Sequence, residues 1–298
     1  MALGVLNNLS AIYAENNLNK TGSSLQTVLE QLSSGSKINS GADDAAGLSL
    51  INGLAANAAA LTQSETNATE GVGLLDVADG ALSQVTSLLD RAVTLATEAS
   101  NGTLNTSQET AANQEYQSIL DEISNIGSTT TYNGTTVFGR TVNIFTGDST
   151  SSGSSVDALT VDTLSSASVG DTDGTMAYAV VAGTATISYT ATAGQSLTGT
   201  SLTSTATAET ALADLNIAIS DVAAQDGYIG AQINTLNAVS EVESTKEENV
   251  VSAQNAVQAT DYASATSDMS KYEILSQTGI AALAQANSVQ QEVTKLLQ

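Results

Sequence analysis

The chain has 298 residues, with 7 Lys or Arg against 31 Asp or Glu for a formal charge of −24, and it contains no His, Cys, Trp or Pro. Without His or Cys it can build no zinc finger, no Cys–His pair, no Ser–His–Asp triad and no His–carboxylate iron site, and no disulfide reports on a redox compartment. The acidic balance argues against nucleic acid or an anionic membrane as the main partner.

The first stretch, MALGVLNNLSAIYAENNLNK, lacks the basic and continuously apolar regions of a cleaved secretory signal. Nowhere does the chain approach the roughly 20 apolar residues of a membrane span. It therefore reads as cytosolic unless export uses a route without signal cleavage. Residues 2–33 place Leu6, Leu9, Tyr13, Leu18, Leu25, Val28, Leu29 and Leu32 on one amphipathic helix. Its counterpart at the other end, residues 264–297, carries Met269, Tyr272, Leu275, Ile280, Leu283, Val289, Val293 and Leu296. These two segments either pair with each other in a monomer or stay loose until other chains supply neighbours. The second reading is preferred, because two helices alone bury only one stripe each.

Next comes LSSGSKINSGADDAAGLSL (32–50), with adjacent Asp43 and Asp44 among small residues just ahead of an apolar helical run. An acid there can cap free N–H groups and meet the helix dipole, and the glycines allow sharp turns between two helices. The rival is a carboxylate dyad or divalent-cation site. Such a cation wants more oxygen ligands than one neighbouring pair supplies, and no DxDxDG spacing is present. The joint is the preferred reading, with no catalytic, cofactor-binding or metal residue assigned.

A coiled-coil seam follows at Leu75, Ala78, Leu82, Val85, Leu89, Ala92, Ala96 and Ala99, with a second stripe at Leu74, Val77, Ala81, Leu88 and Leu95. Two apolar faces call for more than one neighbour. The next helix is predicted to open at Thr106, with Glu109 completing a capping box, and to stop at Gly127. Asn133-Gly134 predicts a type I′ hairpin turn, GDSTSSGSS (147–155) a linker, and the alternation of Ala185, Ile187, Tyr189 and Ala191 a half-buried strand. In the second helical half, Leu212, Leu215, Ile219, Val222, Ile229, Ile233 and Leu236 keep a heptad phase across a polar gap at Asp226.

The fold class expected is mainly α with a β-rich insertion. N- and C-terminal segments would form an elongated helical bundle or coiled coil, with a small outer β domain.

Several stretches carry a family resemblance. LEQLSSGSKINSGADDAAGLSL (29–50), NATEGVGLLDVADGALSQVTSLLDRAVTLATEASNGT (67–103) and TTTYNGTTVF (129–138) resemble the N-terminal half of bacterial flagellin. IGAQINTLN (229–237) and the run from residue 259 to the closing LLQ resemble its C-terminal half. The resemblance covers about 140 residues at one end and about 80 at the other, and does not extend to the middle, 146–207, where flagellins vary. It implies terminal coiled-coil helices termed D0 (1–40 and 258–298), a helical bundle with a β-hairpin termed D1 (41–146 and 208–257), and a variable surface region (147–207).

The resemblance also implies a structural subunit that self-assembles into a helical filament for swimming. Export would run unfolded and uncleaved through the flagellar type III apparatus to the extracellular filament. Its implied partners are copies of itself, an export chaperone, and the filament cap and hook-junction proteins. No nucleic acid, membrane or cofactor enters. Residues implied in the joint or in assembly are Ser33, Ser34, Gly35, Asn39, Asp43, Asp44, Leu296 and Leu297. Arg91, Leu95 and Glu115 match a surface recognised in some flagellins by the Toll-like flagellin receptor of animals. A hook-filament junction protein is the alternative within the flagellum. Basic residues common in the family are replaced by Gln31, Val93, Asp226, Thr235 and Ala256, and an Asp by Ala259, so the ion pairs of relatives do not carry over.

Overall fold

The computed structural model describes residues 8–147, 156–172, 175–181 and 184–296. Five helices and eight strands follow in the order α1 (Leu9–Ser34), α2 (Ala45–Ser100), α3 (Thr106–Thr129), β1 (Thr131–Tyr132), β2 (Thr135–Thr136), β3 (Arg140–Phe145), β4 (Val156–Val161), β5 (Val169–Asp171), β6 (Thr175–Val181), β7 (Thr184–Thr190), β8 (Ala193–Gln195), α4 (Thr205–Gln258) and α5 (Tyr262–Leu296). The chain forms two compact units, Met1–Ala55 with Val250–Gln298, and Ala56–Asn249.

In the second unit the 3–4 apolar spacing of α2 sets the core. Every residue of its predicted seam, from Leu75 to Ala99, is at most 1% exposed. The second stripe is covered in part, with Leu74 and Leu95 buried and Val77, Ala81 and Leu88 packed at the edge. Tyr116, Ile119, Leu120 and Ile123 of α3 join this core. On α4 the inward positions are Ala208, Ala211, Leu215, Ala218, Val222, Gln225, Ile229, Gln232 and Leu236. This corrects the polar gap expected at Asp226. Strict heptad spacing turns Gln225 and Gln232 inward and leaves Asp226, one residue on, exposed.

Two further boundaries differ from expectation. The cap of α3 is Asn105, whose side chain accepts from the amides of Ser107 and Gln108 while the Gln108 side chain accepts from the Asn105 amide. The capping box therefore starts one residue before Thr106 and uses Gln108 in place of Glu109. The helix also passes through Gly127 to Thr129. Gly127 is no terminator: a Cβ there would lie 1.9 Å from the Leu164 carbonyl oxygen, so its role is to let another backbone approach α3. The β1–β2 hairpin turns at Asn133 and Gly134, with φ of 49° and 75° as a type I′ turn demands.

The insertion contributes to the same core. β3 and β4 pair antiparallel, β4 and β7 parallel, and β7 and β6 antiparallel, giving the order β3-β4-β7-β6; β5 and β8 form a separate antiparallel pair. β7 contains the predicted strand, ending at Thr190 before Ala191. Residues 148–155 of the predicted linker lie outside the described residues. Leu159, Val161, Leu164, Val169, Leu197 and Leu202 are buried with the helices. Side chains of α3 and α4 grip this segment by its backbone. Gln232 accepts from the Thr160 amide and donates to its carbonyl, Asp221 accepts from the Gln195 amide at 2.8 Å, and Asn113 from the Leu202 amide at 2.7 Å.

Candidate functional site: paired linkers and terminal helices

Within the first unit, α1 and α5 lie antiparallel. The Asn8 side chain donates to the Ala286 carbonyl at 2.9 Å, Leu18 reaches Gly279, and Val28 and Ala265 are buried. The terminal helices therefore do pair within one chain, contrary to the preferred sequence reading. One stripe of each is enough to hold them together. The remainder stays uncovered: Leu9, Ile12, Tyr13, Leu29, Tyr262, Ile274, Leu275, Ile280 and Val289 are 42–62% exposed.

The α1–α2 and α4–α5 linkers are tied to each other. Ser36 and Ala259 form an antiparallel bridge, the Lys37 amide donates to Gln258 at 2.7 Å, and the Thr260 amide donates to Gly35 at 3.1 Å. Gly35 closes α1 in the left-handed region (φ 72°), and a Cβ there would stand 2.9 Å from the Tyr262 hydroxyl. Only glycine meets both demands without strain. Ser34 accepts from the Ser36 amide, and the Asn39 side chain donates to the Ser36 carbonyl. Ser33, Ser34 and Asn39 line an open groove of about 450 Å³ with Gln26, Leu29 and Glu30.

The two adjacent aspartates turn to different donors. Asp43 accepts from the amides of Asn39 and Ser40 at 3.1 and 2.9 Å and from the Ser40 hydroxyl, folding the linker back on itself. The Asn39 amide, then the Ser40 amide and hydroxyl, hold its carboxyl below the usual range. Asp44 accepts from the amides of Ala46 and Gly47 at 3.0 and 2.9 Å and so caps α2. Their carboxylates thus serve two different local turns. Leu296 ends α5, and Leu297 lies outside the described residues.

In the other unit, Arg91 and Glu115 form an exposed ion pair at 2.7 Å linking α2 to α3, while Leu95 is 3% exposed in the core. The linker bridge was invisible in the sequence. Ser36 and Ala259 are 223 positions apart, and nothing in either segment marks it for strand pairing.

Comparison with known proteins bears on both halves. The bacterial flagellin N-terminal helical region matches residues 5–142, and the bacterial flagellin C-terminal helical region matches residues 212–297. Polar flagellin C of Vibrio parahaemolyticus is 41% identical over 134 residues, 45% of this chain and 35% of that protein. Flagellin A of Vibrio anguillarum is 40% identical over the same shares. The matched part thus spans about a third of these curated relatives' length. The crystal structure of Bacillus cereus flagellin is similar at a TM-score of 0.43 and 27% identity, covering 59% of this chain and 88% of that one.

Proposed function

The chain belongs to the bacterial flagellin family, and on that premise we propose that it is a structural subunit which self-assembles into the flagellar filament. The observation that carries this reading is the apolar surface left on α1 and α5 after they have packed on each other. Contiguous exposed apolar faces of this kind mark surfaces that other chains cover. On α2, Leu50 adds to it, at 52% exposed. We assign this surface to neighbouring subunits.

The filament reading places the protein outside the cell, delivered by the flagellar export apparatus with a chaperone and meeting cap and hook-junction proteins at the ends of the filament. The paired linkers around Ser33, Ser34, Gly35, Asn39, Asp43 and Asp44 would hold the two terminal helices against each other during packing, and Leu296 and Leu297 would take part in assembly. For recognition by the Toll-like receptor, Arg91 and Glu115 are the accessible candidates, with Leu95 supporting them from the core.

The test is removal of the apolar surface. A chain trimmed to residues 44–255 is expected to stay monomeric under conditions that polymerise the full chain. Analytical sedimentation reads the outcome, and long filaments from the trimmed chain would refute the assignment of the terminal helices.

A further inference from the structure

The α2–α4 seam contains one level at which unfavourable features coincide. Gln225 is 2% exposed, and neither its side-chain oxygen nor its nitrogen has a hydrogen-bond partner among the described residues. An amide buried in this way costs free energy that an apolar side chain would not. By contrast Gln232, two turns on, is equally inward but satisfied by Thr160.

Around Gln225 the helix is weak for independent reasons. Gly227 and Gly230 follow within five residues, and neither has an atom within 4 Å of the place where a Cβ would stand. No packing demand therefore explains them, and each lowers helix propensity relative to alanine. Asp226 faces the carboxyl of Asp79 on α2, and Asp79 is itself followed by Gly80, again with open space around it. The antiparallel helices meet at Thr62 with Glu247, at Gly71 with Leu236 and at Asp79 with Asp226. This sequence of contacts puts Gln225 level with the region just beyond Asp79 on α2. To either side the seam is tight, with Val222 and Ile229 both 1% exposed.

We propose that residues 223–228 of α4 form a built-in point of opening, where the long helix loosens from α2 before the seams on either side do. A buried unsatisfied amide, two unconstrained glycines and a like-charged pair all lower the cost of opening at one level. Elsewhere in the seam, 3–4 apolar packing raises it. The inference concerns the single chain and holds whether or not the chain assembles.

Hydrogen exchange of the full-length monomer, followed by mass spectrometry, tests it. After correction for intrinsic rates, amides in 223–228 are expected to exchange at least about tenfold faster than those in 208–219 and 232–242. Gln225→Leu fills similar space without an amide and should slow exchange in that window selectively. Gly227→Ala, where a Cβ meets nothing, should slow it about fivefold. Equal protection across all three windows would overturn the proposal. So would variants that leave the 223–228 window unchanged or make it exchange faster.

Discussion

At the scale of single residues, the acidic composition produces its sharpest effect where two carboxyls meet. Partial desolvation of its carboxyl, then the neighbouring Asp79 carboxyl, push Asp226 up to about 6 from an ordinary value of 3.8. The folded chain therefore holds this proton more tightly than the unfolded one. The associated stability is fully present below about pH 4 and is lost as pH rises through about 6. Asp226→Asn is expected to flatten this loss and to raise the thermal midpoint at pH 7.5. Because Asp226 is exposed, the gain should be on the order of 1 kcal/mol or less. Melts at pH 5 and 7.5 by circular dichroism check it, and an equal pH dependence in both proteins would remove Asp226 as the cause. At the joint, Gly35→Ala faces both a positive φ and the Tyr262 hydroxyl. We expect a loss of about 1–3 kcal/mol from the terminal-helix unit, measured by urea unfolding.

At the scale of elements, the insertion divides into a part that the core needs and a part that it does not. β5 and β8 bring the Thr172 amide within 3.2 Å of the Thr192 carbonyl, so the chain between them can be shortened without opening that pair. Replacing 173–191 with Asn-Gly should leave a cooperative fold whose midpoint moves by only a few degrees. Replacing 156–203 with a Gly/Ser linker removes Leu159, Val161, Leu164, Val169, Leu197 and Leu202 from the core. Each such side chain contributes about 1.5–3 kcal/mol on burial. This second variant should lose more than about 10 °C and bind a hydrophobic dye. Similar midpoints for the two variants would mean that the buried leucines and valines are not holding α3 and α4.

At the scale of the whole molecule, copies carrying a formal charge of −24 must approach one another with only seven basic residues each. Three of these, Arg91, Lys246 and Lys271, are already paired within the chain. At about 0.01 M salt the Debye length is roughly 30 Å and repulsion acts over the whole contact; at about 0.15 M it is roughly 8 Å and apolar burial can decide the outcome. Polymerisation followed by light scattering is therefore expected to be slow in low salt and to accelerate with added salt or divalent cations. Equal rates from about 10 to 300 mM would separate the electrostatic argument from the family assignment, which would stand.

Apolar periodicity determined the helices and the buried seam of α2, the Asn133-Gly134 pair determined the β1–β2 turn, and the likeness of whole stretches pointed to the family. Each rests on residues close together in sequence, whose spacing carries its own geometry. Asp44 as a helix cap was legible for the same reason, since its donors are two and three residues away. Long-range contacts were not. The pairing of Ser36 with Ala259 joins two linkers whose local sequence carries no strand signal. Gly127 looked like a helix end because the backbone of Leu164 that requires it comes 37 positions later. The grip of Gln232 on Thr160, and the absence of any such partner for Gln225, separate two residues that the heptad pattern treats alike. The spacing turns both amides inward, but only the tertiary structure decides which of them finds a backbone to bond.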